Sequence, residues 1–137
     1  MKIKIISIML SIIAIFIIIP LEINAATDDG IVMPRWNNVK TIYCTITFLD
    51  DGYGYAKGTV SGDLGVSKIV AEAYVYKQVG SSWVYVNHEE KTVASHSMLI
   101  SCQFVPEAGA YYMANYQFIV TKNGVDEIIT RTVYQTA

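Results

Sequence analysis

Apolar and polar residues alternate with a period of two in one run after another along this chain, and each run is closed by Gly, Asp, Asn or Ser. Residues 41–49 place Ile42, Cys44, Ile46 and Phe48 on one side and Tyr43, Thr45 and Thr47 on the other. That pattern marks a half-buried strand. Asp50-Asp51-Gly52 supplies side chains that bond their own backbone and a Gly that tolerates positive φ, so residues 53–61 are expected to fold back as a hairpin. Residues 68–79 sit in a stretch that also satisfies helical spacing through Val66, Ile69, Val70 and Ala73, but its Val-Tyr-Val-Tyr composition favours a strand. Gly80-Ser81-Ser82 turns it into 83–93, and 97–105 follows with Met98, Ile100, Cys102 and Phe104 alternating against Leu99, Ser101 and Gln103. Residues 111–121 and 125–135 make a last hairpin around Asn123-Gly124, a strong turn signal. About seven strands with turns every 8 to 12 residues predict an all-β fold, a single antiparallel β-sandwich of two packed sheets.

The beginning of the chain reads differently. Met1-Lys2-Ile3-Lys4 is short and positive, residues 5–19 are a continuous apolar run, and Ile23-Asn24-Ala25 offers small or aliphatic side chains at the positions an export peptidase reads. This is the three-part pattern of a secretory signal peptide over 1–25, which leaves a 26–137 domain. The alternative is a retained anchor. The apolar run makes about 22 Å of helix, against about 30 Å of hydrocarbon core, and this favours cleavage and a secreted, extracellular product with no membrane attachment.

Composition narrows the partners. Setting aside Lys2, Lys4 and Glu22 leaves eight basic and eleven acidic residues, so no basic surplus exists to recruit nucleic acid or anionic lipid. Neither Gly-x-Ser-x-Gly, a Gly-rich phosphate loop, His-Glu-x-x-His nor a Cys-x-x-Cys metal pair occurs. No cofactor or metal is implied. His88 and His96 read as surface residues at strand ends, and Asp50-Asp51 as turn formers.

Glu107-Ala108-Gly109-Ala110-Tyr111 resembles the acidic-x-Gly-x-Tyr corner of immunoglobulin-like domains, with Met113 standing where that family has its second cysteine. The parity of 111–121 is in conflict with it, because Tyr112, Ala114, Tyr116, Phe118 and Val120 form the more apolar face and turn Tyr111 outward unless a bulge intervenes. Over 26–137 the layout resembles small secreted immunoglobulin-like or fibronectin-III-like β-sandwich proteins of Gram-positive bacteria. The matching residues are Pro34 to Trp36, Gly54 to Ala56, Lys77 to Trp83, Gly109 before a Tyr pair, and Asn123 to Glu127. The resemblance implies a fold and a location and carries no activity.

Two constellations remain. Cys44 and Cys102 are the only cysteines and share core-facing parity, so in an exported chain a disulfide is the natural reading, with two buried free thiols the alternative. Ten tyrosines and two tryptophans form the other surplus. If Ile69, Ala71, Ala73 and Val75 face the core, Tyr74 and Tyr76 face out, and Trp83 and Tyr85 on the paired strand join them while Val84 and Val86 point in. Rigid amphipathic rings beside Glu72 and Gln78 suit a protein, cell-surface or carbohydrate ligand, and they also pack well simply as cross-strand pairs. The functional expectation is a non-catalytic binding or interaction module. The alternatives are a secreted hydrolase with a carboxylate pair and a structural component of the cell envelope.

Overall fold

The alternation read from the sequence becomes seven strands in the computed structural model, which describes residues 36–137. They are β1 (Val39–Phe48), β2 (Gly54–Gly62), β3 (Val66–Val79), β4 (Ser82–Val93), β5 (Ser97–Phe104), β6 (Tyr111–Lys122) and β7 (Val125–Thr136). The expected export signal and its cleavage site lie outside the described residues. β1-β2-β5 form a three-stranded antiparallel sheet and β4-β3-β6-β7 a four-stranded one. Packed face to face, the two inner surfaces make the core, in which Ile69, Ala71, Ala73 and Val75 of β3 meet Ile46, Ala56, Val60, Ile100 and Cys102. The ambiguous third run is a strand because β4 and β6 pair with it on both sides and its own alternate residues are buried in the core, a periodicity of two that no helix can match.

The β6–β7 hairpin closes on Asn123 and Gly124 with φ of 52° and 74°. Two successive positive φ values are what a two-residue turn needs to match the right-handed twist of its strands, and Asn-Gly adopts them at least cost.

The core is stacked over one glycine. Tyr116 and Phe118 of β6 lie parallel, 2° apart with centroids at 6.2 Å. Both reach Gly58 of β2, where a Cβ would come within 2.9 Å of the Phe118 ring and 3.1 Å of the Tyr116 ring. Tyr116 crosses to the other sheet and donates its hydroxyl hydrogen to the Thr45 carbonyl at 2.8 Å. Its phenol pKa is pushed up, first by burial and then by the neighbouring Cys44 and Cys102.

The same place decides the cysteines. Cys44 and Cys102 are free thiols, which corrects the expected disulfide. Cys44 on β1 pairs with Gly58 of β2, and Cys102 on β5 pairs with Ala56 of β2, so an entire strand separates them. Two strand spacings put their Cα atoms about 10 Å apart or more, whereas a disulfide needs roughly 4.4–6.8 Å. Shared parity placed both on the core side; strand order kept them apart. Burial raises both thiol pKa values from 9.0 to about 11.

The parity conflict at the start of β6 resolves without a bulge. Tyr112, 1% exposed, faces the core and its hydroxyl accepts the Glu107 backbone N–H at 2.8 Å, while Tyr111 turns outward. The apolar alternation, not the motif spacing, sets which of the two tyrosines turns inward.

β4 does carry a bulge. Val75 pairs with Asn87 and Tyr76 with Tyr85, so Val86 is the extra residue. Beyond it, Asn87, Glu89 and Lys91 share the inner side of the sheet with Val75, Ala73 and Ala71. Asn87 Nδ2 donates to the Gln103 carbonyl at 2.7 Å and Lys91 Nζ to the Leu99 carbonyl at 2.8 Å, both on β5. Two polar side chains thus occupy acceptors of the β5 edge, and inward-pointing polar groups of this kind discourage pairing between edges of different molecules. Val86 is half-buried against the core, whereas Val84, expected to point in, stays 47% exposed on the inner side of this edge strand.

Candidate functional site

The outer side of the four-stranded sheet presents the aromatic residues as an ordered lattice, because residues paired across antiparallel strands project to the same side. One row runs Tyr85, Tyr76, Met113, Tyr134 across all four strands. The next, toward the β3–β4 turn, holds Trp83 and Gln78 on β4 and β3, with Tyr111 and Thr136 on β6 and β7. On the other side lies His88, Tyr74, Asn115, Thr132, and beyond it Glu90, Glu72, Gln117, Thr130. The four residues anticipated from sequence, Tyr74, Tyr76, Trp83 and Tyr85, are all on this face. The bulge at Val86 is what lets His88 continue on the same side in the row next to Tyr85.

The rings touch one another and stay open to water. Trp83, Tyr111 and Tyr134 form a triangle with every centroid separation at 5.9 Å. Tyr76 meets Tyr85 edge-on at 6.3 Å, and Tyr74 stacks on His88 at 5.1 Å with 14° between planes. The Tyr85 hydroxyl and His88 Nδ1 are 3.1 Å apart. Trp83, Tyr85, Tyr111 and Tyr134 are between 37% and 53% exposed, whereas Tyr74 and Tyr76 are half-buried. Mutual packing orients the rings in advance, so a ligand would have less side-chain entropy to remove on docking.

Beside the aromatic rows the face dips into a depression of about 370 Å³ lined by Glu72, Tyr74, Asn115, Gln117, Thr130 and Thr132 among others. Thr132 donates its hydroxyl hydrogen to Asn115 Oδ1 at 2.9 Å. Glu72 is the one carboxylate in the lining. Its charge, more than any other influence, raises the Tyr74 phenol pKa, with desolvation, Tyr76, Glu90 and Tyr85 adding to it. A second depression, of about 750 Å³, opens between the β4 and β5 edges near Tyr53, Asn87, Glu89 and Gln103, where the Asn87 bond to Gln103 ties the two edges together. Among the described residues no group of three His, Cys, Asp or Glu is placed to hold a metal ion.

Tyr111, Tyr134 and His88 belong to the face and were not anticipated. His88 was read as a strand-end residue, whereas it sits within β4. The motif spacing points to Tyr111 as the corner residue, whereas its outward parity is the signal that puts it on this face. Nothing local marks Tyr134 as a neighbour of Trp83, since the contact exists only because β6 and β7 lie beside β3.

No family model and no curated protein matches the chain. Among solved structures it is similar to a glycosyl hydrolase family 2 member from Bacteroides cellulosilyticus, at 10% identity over 67% of this chain, with a TM-score of 0.39. A β-glucuronidase from glycoside hydrolase family 2 is 12% identical over 67% of this chain, with a TM-score of 0.40. The chain spans only 15% and 11% of the length of those two proteins. A protein from Archaeoglobus fulgidus is 9% identical over 72% of this chain and 97% of its own, with a TM-score of 0.37.

Proposed function

We propose that this chain is an exported, non-catalytic binding module whose ligand docks on the outer side of the four-stranded sheet. The observation that carries the reading is the contiguous aromatic lattice of Tyr74, Tyr76, Trp83, Tyr85, Tyr111 and Tyr134, rimmed by Gln, Asn and Thr side chains. Contiguous exposed aromatic area is costly to leave in water and marks interaction surfaces on soluble domains. Tyr and Trp also supply much contact area for few rotatable bonds. The Tyr112–Glu107 bond supports the immunoglobulin-like reading of the sandwich. Hydrolysis of a glycoside requires two carboxyl groups flanking the bond; of the cross-strand pair Glu72 and Glu90, only Glu72 lines the depression.

The test compares wild-type protein with Trp83→Ala/Tyr85→Ala and with Tyr43→Ala, which removes a ring 69% exposed on the three-stranded sheet. Retention is measured on immobilised peptides of defined charge and on insoluble polysaccharides, with released sugar assayed in parallel. Wild type and Tyr43→Ala retained on a common probe, and the double variant not, is the expected result. Retention indifferent to the double variant, or release of sugar, defeats the proposal.

A further inference from the structure

We infer that the partner of this face is cationic: a protein segment bearing arginine or lysine, its charged head seated in the Glu72 depression and its methylene stem lying on Tyr74 and Tyr76. This rests on the binding-face reading above and adds the chemistry of the occupant. Glu72 on β3 and Glu90 on β4 stand directly opposite each other on the same side of the sheet. Like charges in that position repel and destabilise the pair of strands. Among the described residues neither carboxylate takes part in an ion pair; the two salt bridges present are Lys77–Glu107 and Lys122–Asp63. Lys91, the cation next to Glu90 in sequence, is on the inner side of the sheet and donates to the Leu99 carbonyl. Arg131 also lines the depression, but it pairs with the inward-facing Tyr116 and its guanidinium lies over the Trp36 ring against the core. The free protein therefore holds two carboxylates without an ion-pair partner beside the half-buried Tyr74 and Tyr76.

A cation from outside would relieve that repulsion and meet two further attractions. The faces of Tyr rings draw guanidinium and ammonium groups through their quadrupole, and the stem of Arg or Lys covers apolar surface while its head stays polar. Gln117, Thr130 and Thr132 line the same depression and bring oxygens that can accept the remaining N–H groups of a guanidinium. The open, shallow form of the site suits one side chain of a larger surface, whereas small molecules are held in pockets that enclose most of them. A neutral sugar would stack on the same rings and leave the Glu72–Glu90 repulsion in place.

The experiment is fluorescence anisotropy with a labelled oligo-arginine peptide, an oligo-citrulline peptide of the same length, and a labelled neutral glucan oligosaccharide. The proteins are wild type, Glu72→Gln, Trp83→Ala, and Asp50→Asn at the exposed β1–β2 turn, each first shown folded by circular dichroism. Glu72→Gln removes a repelling charge and keeps the shape, so it should fold at least as well as wild type. Oligo-arginine is expected to bind wild type and Asp50→Asn equally, to bind Glu72→Gln about fivefold or more weakly, and to be matched by neither neutral probe. Equal weakening by Glu72→Gln and Asp50→Asn would show attraction to total charge alone and overturn the inference. Binding of citrulline peptide or glucan that Trp83→Ala abolishes would overturn the cationic partner and leave the binding face standing. Binding of every probe unchanged in Trp83→Ala and Glu72→Gln would overturn both.

Discussion

Gly58 offers the sharpest test of how this core is assembled. Replacing it with alanine adds a Cβ 2.9 Å from Phe118 Cζ, 3.1 Å from Tyr116 Cδ1 and 3.2 Å from Ile100 Cγ2, all from side chains at most 2% exposed. Carbon atoms rest at about 3.5–4.0 Å, so three contacts are compressed at once. The rings have little freedom to yield, since each lies against the other and Tyr116 is tied by its hydroxyl to Thr45. Overpacking of this kind costs about 1–3 kcal/mol. Alanine also restricts the unfolded chain, which offsets about 0.4–1 kcal/mol of that. The expected balance is a destabilisation of about 1–2 kcal/mol, read in urea as a lower midpoint with an unchanged slope. Adding Phe118→Leu removes the nearest ring atom, so Gly58→Ala/Phe118→Leu should be less destabilised than the sum of the single variants, with favourable coupling of about 0.5 kcal/mol or more. Wild-type stability or better in Gly58→Ala would refute the packing of the two rings on Gly58.

The remaining predictions probe other joints of the structure. Under non-reducing conditions the protein should yield two free thiols in urea and react slowly with a thiol reagent at pH 8 when folded; a mass lower by two hydrogens would disprove the strand order that separates Cys44 from Cys102. Because burial lifts both thiols from 9.0 to about 11, the folded state holds these protons more tightly. Their contribution is therefore complete below pH 9 and is lost as pH rises toward and through about 11, so the urea midpoint should fall over that window more in wild type than in Cys44→Ala/Cys102→Ala. Tyr112→Phe should lose about 1 kcal/mol by removing the acceptor of the Glu107 N–H, with Tyr111→Phe unchanged; equal effects would refute the role given to this bond. Asn87→Ala/Lys91→Ala frees two β5 carbonyls and should increase association with concentration in light scattering; a strictly monomeric variant would show that these bonds do not guard the edge.

Much of this protein is determined by the sequence alone, because period-two alternation and turn chemistry act between residues close along the chain. All seven strands begin and end within about two residues of where the alternation and the Gly, Asn and Asp clusters place them. The inward sides of β1 and β5 follow the pattern, as do the outward positions of Tyr74, Tyr76, Trp83 and Tyr85. Tertiary structure decided what depends on which strand lies beside which. Cys44 and Cys102 have matching parity in any arrangement, yet only the order β1-β2-β5 inserts a strand between them. Tyr134 is distant from Trp83 along the chain and becomes its neighbour once β6 and β7 join the sheet. The bulge at Val86 is likewise absent from the alternation, since the polar run after it has no apolar partner to reveal the change of phase; it is this bulge that turns Asn87 and Lys91 inward to β5 and keeps His88 and Glu90 on the outer face, where Glu90 meets Glu72.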